Sequence, residues 1–222
     1  MPDKYERFVA SYLRLNGYFT VPNFIVHAPD RTVNEFVGNY TETDIIGIRM
    51  PHSKEIAGEL IIVNHSPLID NIDGKIDVVI AEAKSGNKNT PNTVWIGPKK
   101  EEIANYIIRF IGIHKEDEIL TIGQVLSTSF QYEDDRCRIR YIICANEENP
   151  HYQKMGVTYI TFDNMIEFIV DIRGKCWIKK DLGIASIHHQ WDDLLIDLFS
   201  IANKHDKTSQ ERIAEIKLLL SK

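Results

Sequence analysis

Between residues 3 and 16, Tyr5, Phe8, Val9, Tyr12 and Leu13 recur at the i, i+3, i+4, i+7, i+8 spacing of one helix face, and Asn16-Gly17 supplies a stop. This pattern predicts an opening amphipathic helix. From Tyr18 to Val26 the residues are β-prone but include Pro22, which cannot donate to a ladder, so the run predicts an edge or bent strand. A polar loop rich in Pro, Asp and Asn follows. Within Thr41–Arg49 the run Asp44-Ile-Ile-Gly-Ile is too short for a helix and predicts a strand whose start carries two acids, Glu42 and Asp44. Residues 50–75 lose the periodicity: Leu60–Val63 is apolar, but Pro51, Pro67, Asn71, Asp73 and Gly74 surround it, which predicts an insertion holding one strand or helix. Ile76–Ala83 is almost continuously apolar and β-branched, the signature of a strand covered on both faces in the middle of a sheet.

A polar loop from Ser85 to Pro98 leads into a predicted helix from about Lys99 to Ile111, with Ile103, Tyr106, Ile107 and Phe110 as its buried stripe. Strands are predicted near Arg138–Cys144 and Val157–Thr161, and a helix over 164–172 with Asp163 as N-cap. Two more helices close the chain. One places Trp191, Leu194, Leu195, Leu198, Phe199 and Ala202 on a face; the other opens with a Thr208–Glu211 capping box and carries Ile213, Ile216 and Leu220. The order implies an α/β fold: a mixed central β-sheet flanked by helices on both sides. The core is assigned to residues 1–182, with the insertion at about 50–75, and a small helical C-terminal extension, 183–222, packs on it.

Composition narrows the class. A chain of 222 residues, 43% hydrophobic and 26% charged, is globular rather than disordered or collagen-like. No stretch reaches the roughly 18–20 apolar residues of a membrane span, and the charged start lacks a signal-type apolar block, so a cytoplasmic, non-membrane protein is expected. Cys137, Cys144 and Cys176 have no CxxC spacing and suit buried free thiols in a reducing compartment. Twenty-six Lys and Arg against 32 Asp and Glu give −6, which disfavours a general nucleic-acid coat and makes any nucleic-acid contact local. The same deficit suits a protein that gathers carboxylates around a cation. Neither GxxxxGK nor GxGxxG occurs, and there is no GxSxG elbow.

Side chains alternate along a strand, so Glu82 and Lys84 project to one face at the end of a buried strand. The ordinary explanation of such a Glu-x-Lys is a structural ion pair. Asp44 changes the balance: if the two strands are neighbours, its carboxylate lies beside Glu82, and converging carboxylates repel unless a cation sits between them. All-oxygen donors with open positions suit Mg2+ or Mn2+ rather than zinc, and Lys84 could hold an attacking water or a scissile phosphate. Asp77 and Asp73 compete as the second acid, but each lies an odd number of residues from Glu82, and on a regular strand Asp77 faces the other way. Glu42 stays in reserve on the same side as Asp44.

A helix with Glu6, then Asp44-Ile-Ile-Gly, then Glu82-Ala-Lys84 closing an apolar strand resembles the PD-(D/E)XK, restriction-endonuclease-like nuclease superfamily, including Holliday-junction resolvases and Mrr-type enzymes. The resemblance covers roughly residues 1–172 in element order. It implies that Asp44 and Glu82 ligate the metal, that the Ala83 backbone carbonyl adds an oxygen, that Lys84 assists the nucleophile, and that Glu6 matches the helical acid some members add. The implied function is Mg2+- or Mn2+-dependent hydrolysis of phosphodiester bonds, in DNA, by an endonuclease; the alternative is a non-catalytic nucleic-acid- or protein-binding module of the same fold. The span from Asp44 to Glu82 is longer than the superfamily's usual hairpin, so the pairing requires that residues 50–75 stay out of the sheet between them.

Other signals compete. Arg136, Arg138 and Arg140 alternate with apolar residues and could follow a phosphate backbone, or be a solvated face balanced by Glu133, Asp134 and Asp135. Lys99 and Lys100, and Lys175, Lys179 and Lys180 around Trp177, offer further basic surface. His188 and His189 followed by Asp192 and Asp193 fit a polar helix start better than a metal site. The terminal helices could also serve a homodimer or a protein partner.

Overall fold

Helix α1 (Lys4–Leu15) starts where Asp3 and Glu6 exchange hydrogen bonds: the Glu6 N–H donates to Asp3 Oδ1 (2.8 Å) and the Asp3 N–H to Glu6 Oε2 (3.0 Å). It buries Phe8, Val9, Tyr12 and Leu13, the stripe its periodicity predicts, and ends at Asn16. The structure, a computed structural model, describes residues 3–27, 29–30, 35–36, 41–54, 56–57, 60–61, 64–69, 72, 74–174, 193–204 and 206–221.

The central sheet runs β1 (Phe19–Val26), β4 (Thr41–Arg49), β7 (Ile76–Lys84), β9 (Cys137–Ala145) and β10 (Thr158–Thr161), with β8 (Gln131–Glu133) also paired to β9, so it has six strands. Strand β1, which carries Pro22, lies at the edge as expected. The β1–β4, β4–β7 and β8–β9 pairs are antiparallel, whereas β7–β9 and β9–β10 are parallel. This is the mixed α/β sheet flanked by helices that the pattern predicts.

Two small hairpins, β2 (Pro29–Asp30) with β3 (Glu35–Phe36) and β5 (Ile56–Ala57) with β6 (Leu60–Ile61), stay outside the sheet. With the short helix α2 (Ser66–Ile69), the second hairpin makes up the described part of the 50–75 insertion. The insertion thus holds two strands and a helix, and β4 and β7 remain neighbours.

A parallel β7–β9 pair needs a long crossover. It runs through α3 (Thr93–Ile96), α4 (Lys100–Ile111) and α5 (Glu116–Ser129), which cover one face with Ile103, Ile107, Ile119, Ile122 and Leu126 against Val78, Ile80 and Ile139. Helix α5 is not apparent in the periodicity, because Gly123 and a run of Ser and Thr interrupt it. Gly123 is there for packing: a Cβ would lie 1.8 Å from Asn105 Oδ1 on α4.

The other face is covered by α1, by α7 (Phe162–Glu167) with its wider π-helical continuation Phe168–Arg173, and by α8 (Asp193–Ala202) and α9 (Ser209–Ser221). Beyond β10 comes no Asp163 cap: Thr161 caps α7, its Oγ1 accepting from the Asn164 N–H (3.1 Å), and the helix starts two residues earlier than predicted. Short α6 (Pro150–Gln153) lies between β9 and β10. Leu194, Leu198, Phe199, Ile216 and Leu220 join the α1 core, and the Thr208–Glu211 capping box is formed. Trp191, Lys175, Trp177, Lys179, Lys180, Cys176, His188, His189 and Asp192 lie outside the described residues. No helix among the described residues is long and apolar enough to cross a membrane.

Asp77, at the start of β7, is fully buried and faces the α1 side. It accepts from Arg138 Nε (2.9 Å), from Arg140 Nη2 (2.7 Å) and from the Tyr18 hydroxyl, while Arg140 also donates to the Leu68 carbonyl (2.7 Å). Burial, reinforced by Asp77, raises the Tyr18 hydroxyl well above its ordinary pKa and keeps it a donor. Removing one partner from such a group leaves charge buried and uncompensated. Asp77→Ala is therefore expected to lower unfolding free energy by about 3–5 kcal/mol in urea titrations; a loss below about 1 kcal/mol would mean that the network contributes little.

Candidate functional site

The β4–β7 ladder ends at the pair Ile45 with Ala81, so the next register step sets Asp44 opposite Glu82. Residues directly opposite in an antiparallel pair project to the same face with Cβ atoms about 5 Å apart. The structure therefore brings the two acids together. Asp44 Oδ2 accepts from the Ala83 N–H (2.8 Å), which ties its carboxylate to the end of β7. Glu82 is fully buried, and its Oε2 meets Lys84 Nζ at 2.6 Å.

Asn92, at the N-terminus of α3, completes the cluster. Its N–H donates to Glu82 Oε2 (3.3 Å), and its Oδ1 accepts from Lys84 Nζ (2.5 Å). Glu82 Oε1, by contrast, is buried with no hydrogen-bond partner. Beneath Glu82 lies Tyr141, fully buried and packed on Trp95; burial, and then Glu82 itself, holds its hydroxyl well above the usual range.

While the fully buried Glu82 is not part of its wall, Asp44, Lys84 and Asn92 open on a pocket of about 410 Å³ that Glu6, Glu42, Ala83 and Lys88 also line. Glu6 reaches it from α1 while its Oε2 still accepts from the Asp3 N–H, so the helix cap and the pocket share one carboxylate. Burial raises the Asp44 pKa to about 7, against the Ala83 hydrogen bond and with help from the charges of Glu82 and Glu6. Glu6 is raised as well, chiefly by burial. Four acids, Glu6, Glu42, Asp44 and Glu82, are thus gathered around one ammonium in the cluster, Lys84, with Lys88 also lining the pocket.

Asp77, the competing acid, faces the opposite side within its arginine network. Arg138 and Arg140 turn inward to it and Arg136 binds Glu118 (2.7 Å) and Asp134, so the three arginines do not make an open row. The reason is topological: β9 lies inside the sheet and both its faces are covered. Lys99 and Lys100 open α4, beyond the lining residues of the pocket. Asp73 lies outside the described residues.

A second group, His114, Asp134 and Cys137, lies at the other end of β9 and is close enough to hold a metal ion. His114 Nε2 is 3.2 Å from Cys137 Sγ, burial pushes the thiol up to about 12 and lowers His114, and Nδ1 is buried without a partner. Its carboxylate neighbours already face the Arg136 guanidinium. Glu82 has only the Lys84 ammonium against its carboxylate and its Oε1 makes no hydrogen bond, which ranks the β7 site first.

No family model, curated protein or solved structure matches the chain.

Because folding raises the Asp44 pKa above its unfolded value of about 3.8, the folded state binds this proton more tightly. The associated stability is fully present below that unfolded value and is lost as pH rises through about 7. In chelator, Asp44→Asn should therefore stabilise the protein above pH 7, by about 1–3 kcal/mol, and flatten the fall in melting temperature between about pH 4 and 7. Parallel melting curves of the two proteins would contradict the burial of that charge.

Proposed function

We propose that the chain is a Mg2+- or Mn2+-dependent nuclease that hydrolyses phosphodiester bonds in DNA, working at the β7 site. The observation that carries this reading is the bare, buried Oε1 of Glu82, in register with an Asp44 carboxylate that burial has made proton-hungry. Leaving a buried carboxylate oxygen unpartnered costs several kcal/mol, and a divalent cation held by Asp44 and Glu82 offsets it. The Ala83 carbonyl and Glu6 are the additional oxygens this reading assigns. When bound, such a cation polarises a phosphodiester and makes a water more acidic.

The protein's own groups do the rest. Lys84 has three N–H donors; two are taken by Glu82 and Asn92, which leaves one for a phosphate oxygen or an attacking water. Glu82 and Asp44 orient the electrophile by fixing the cation. With carboxylates in excess over ammonium groups, phosphate is repelled until a cation binds, which accounts for metal dependence. The arrangement of acid, acid and lysine, together with the helical Glu6, is what resembles the PD-(D/E)XK superfamily, and membership is part of the proposal. Buried free thiols at Cys137 and Cys144 support a reducing, cytoplasmic setting.

Purified protein incubated with supercoiled, linear, branched and single-stranded DNA is expected to cut at least one of them with Mg2+ or Mn2+ and none in chelator. Glu82→Gln and Lys84→Ala are each expected to slow cutting by about 10²–10⁴-fold. Absence of both cutting and Mn2+ binding by folded protein would reject the catalytic site and favour a binding module.

A further inference from the structure

The polar loop between β7 and α3 is held from both sides. Asn146 Nδ2 donates to the Gly86 carbonyl (2.7 Å), and the Tyr159 hydroxyl to that of Asn89 (2.7 Å), which pins the loop to the ends of β9 and β10. Beyond it, the buried indole of Trp95 packs on Tyr141 at a centroid distance of 4.7 Å and fixes the short helix α3 against the sheet. Asn92 lies between these anchors, so its place does not depend on its own side chain. That side chain does no capping work: the first turn of α3 takes no hydrogen bond from it. Instead its side-chain oxygen accepts from the Lys84 ammonium.

A half-buried asparagine that merely satisfied itself would bond to its own turn, as Asn residues at helix starts usually do. Here the backbone N–H points to Glu82 while the side-chain oxygen points to Lys84, and the two contacts hold a carboxylate and an ammonium that are themselves paired at 2.6 Å. A flexible lysine has four rotatable bonds to order before it can address one atom, and a single ion pair leaves it free to swing about the carboxylate. A second acceptor on the other side of Nζ removes that freedom and aims the third N–H.

We propose that Asn92 is a positioning residue of this site: it fixes the Lys84 ammonium so that its remaining N–H faces the pocket, while its backbone amide occupies Glu82 Oε2 and leaves Oε1 for the cation. This rests on the nuclease reading for its consequence, though not for its geometry.

Two measurements separate the two. The first is the rate at which formaldehyde and a borohydride methylate Lys84 in the full chain, read by mass spectrometry without substrate or metal. Asn92→Ala is expected to raise it about three- to tenfold relative to other lysines, and Asn92→Asp, which keeps an acceptor oxygen, to leave it near the wild-type rate. The second is single-turnover DNA cleavage at saturating substrate. Asn92→Ala is expected to lower the rate about 10–100-fold with KM and Mn2+ affinity within about threefold, and Asn92→Asp to recover most of it. Unchanged methylation overturns the proposal, as does a loss that appears in KM or Mn2+ affinity instead of rate, or a similar fall in melting temperature for both variants. If Lys84 becomes reactive in Asn92→Ala but wild-type protein cuts no DNA, the positioning role stands and the nuclease reading falls.

Discussion

Strand β7 buries a carboxylate near each end, and the two are compensated in different ways. Asp77 and Glu82 are separated by an odd number of residues, so one faces the α1 layer and the other the α3–α5 layer. Asp77 receives two guanidinium groups and a phenol, and nothing about it is open to a ligand. Glu82 has one ammonium and one distant amide, with the Tyr141 phenol against its carboxylate, and its Oε1 makes no hydrogen bond that meets full geometry. A buried ionised group that is not fully paired destabilises the fold, so its presence requires something else to gain from it. The contrast within a single strand separates a fully paired carboxylate from a partly paired one more sharply than either charge or burial alone.

The sheet brings the rest of the site to Glu82. Asp44 arrives because β4 runs antiparallel to β7, and the hairpin insertion between them adds only a slowly growing loop-closure entropy. Glu6 comes from α1 on one layer and Asn92 from α3 on the other, so the pocket opens where both layers reach the same end of the sheet. Gly47 permits the close packing behind it: a Cβ there would meet Val79 at 2.7 Å and Tyr18 at 3.2 Å. The site depends on that tight approach of α1 and β1 to the middle of the sheet.

Much of this could be read from the chain. The apolar run of β7 announced an internal strand, alternation placed Lys84 with Glu82 and Asp77 against them, and Pro22 marked the edge. What alternation could not reveal was the covering of β9: Arg138 and Arg140 resemble a solvent face because their partner, Asp77, is remote in sequence and meets them only across a parallel pairing. Helix α5 was hidden for a similar reason, since Gly123 is a packing choice that looks locally like a break. Asn92 had no signature either. Its role follows from where a polar loop is pinned, and no periodicity encodes that.

The remaining link is between the site's own charge and its ligand. Burial that lifts Asp44 to about 7 means that any divalent cation bound there, as the nuclease reading has it, would compete with a proton for the carboxylate near neutral pH. A proton satisfies Asp44 but does nothing for Glu82 Oε1, which lies across the strand pair; on the proposed reading a divalent cation would serve both. Lys84 cannot substitute for it, because Oε2 and Asn92 already hold the ammonium on the other side of Glu82. On the proposed nuclease reading, the pocket would take a doubly charged, oxygen-seeking ligand, and with that charge in place the third N–H of Lys84 would face an environment in which a phosphate oxygen is attracted rather than repelled.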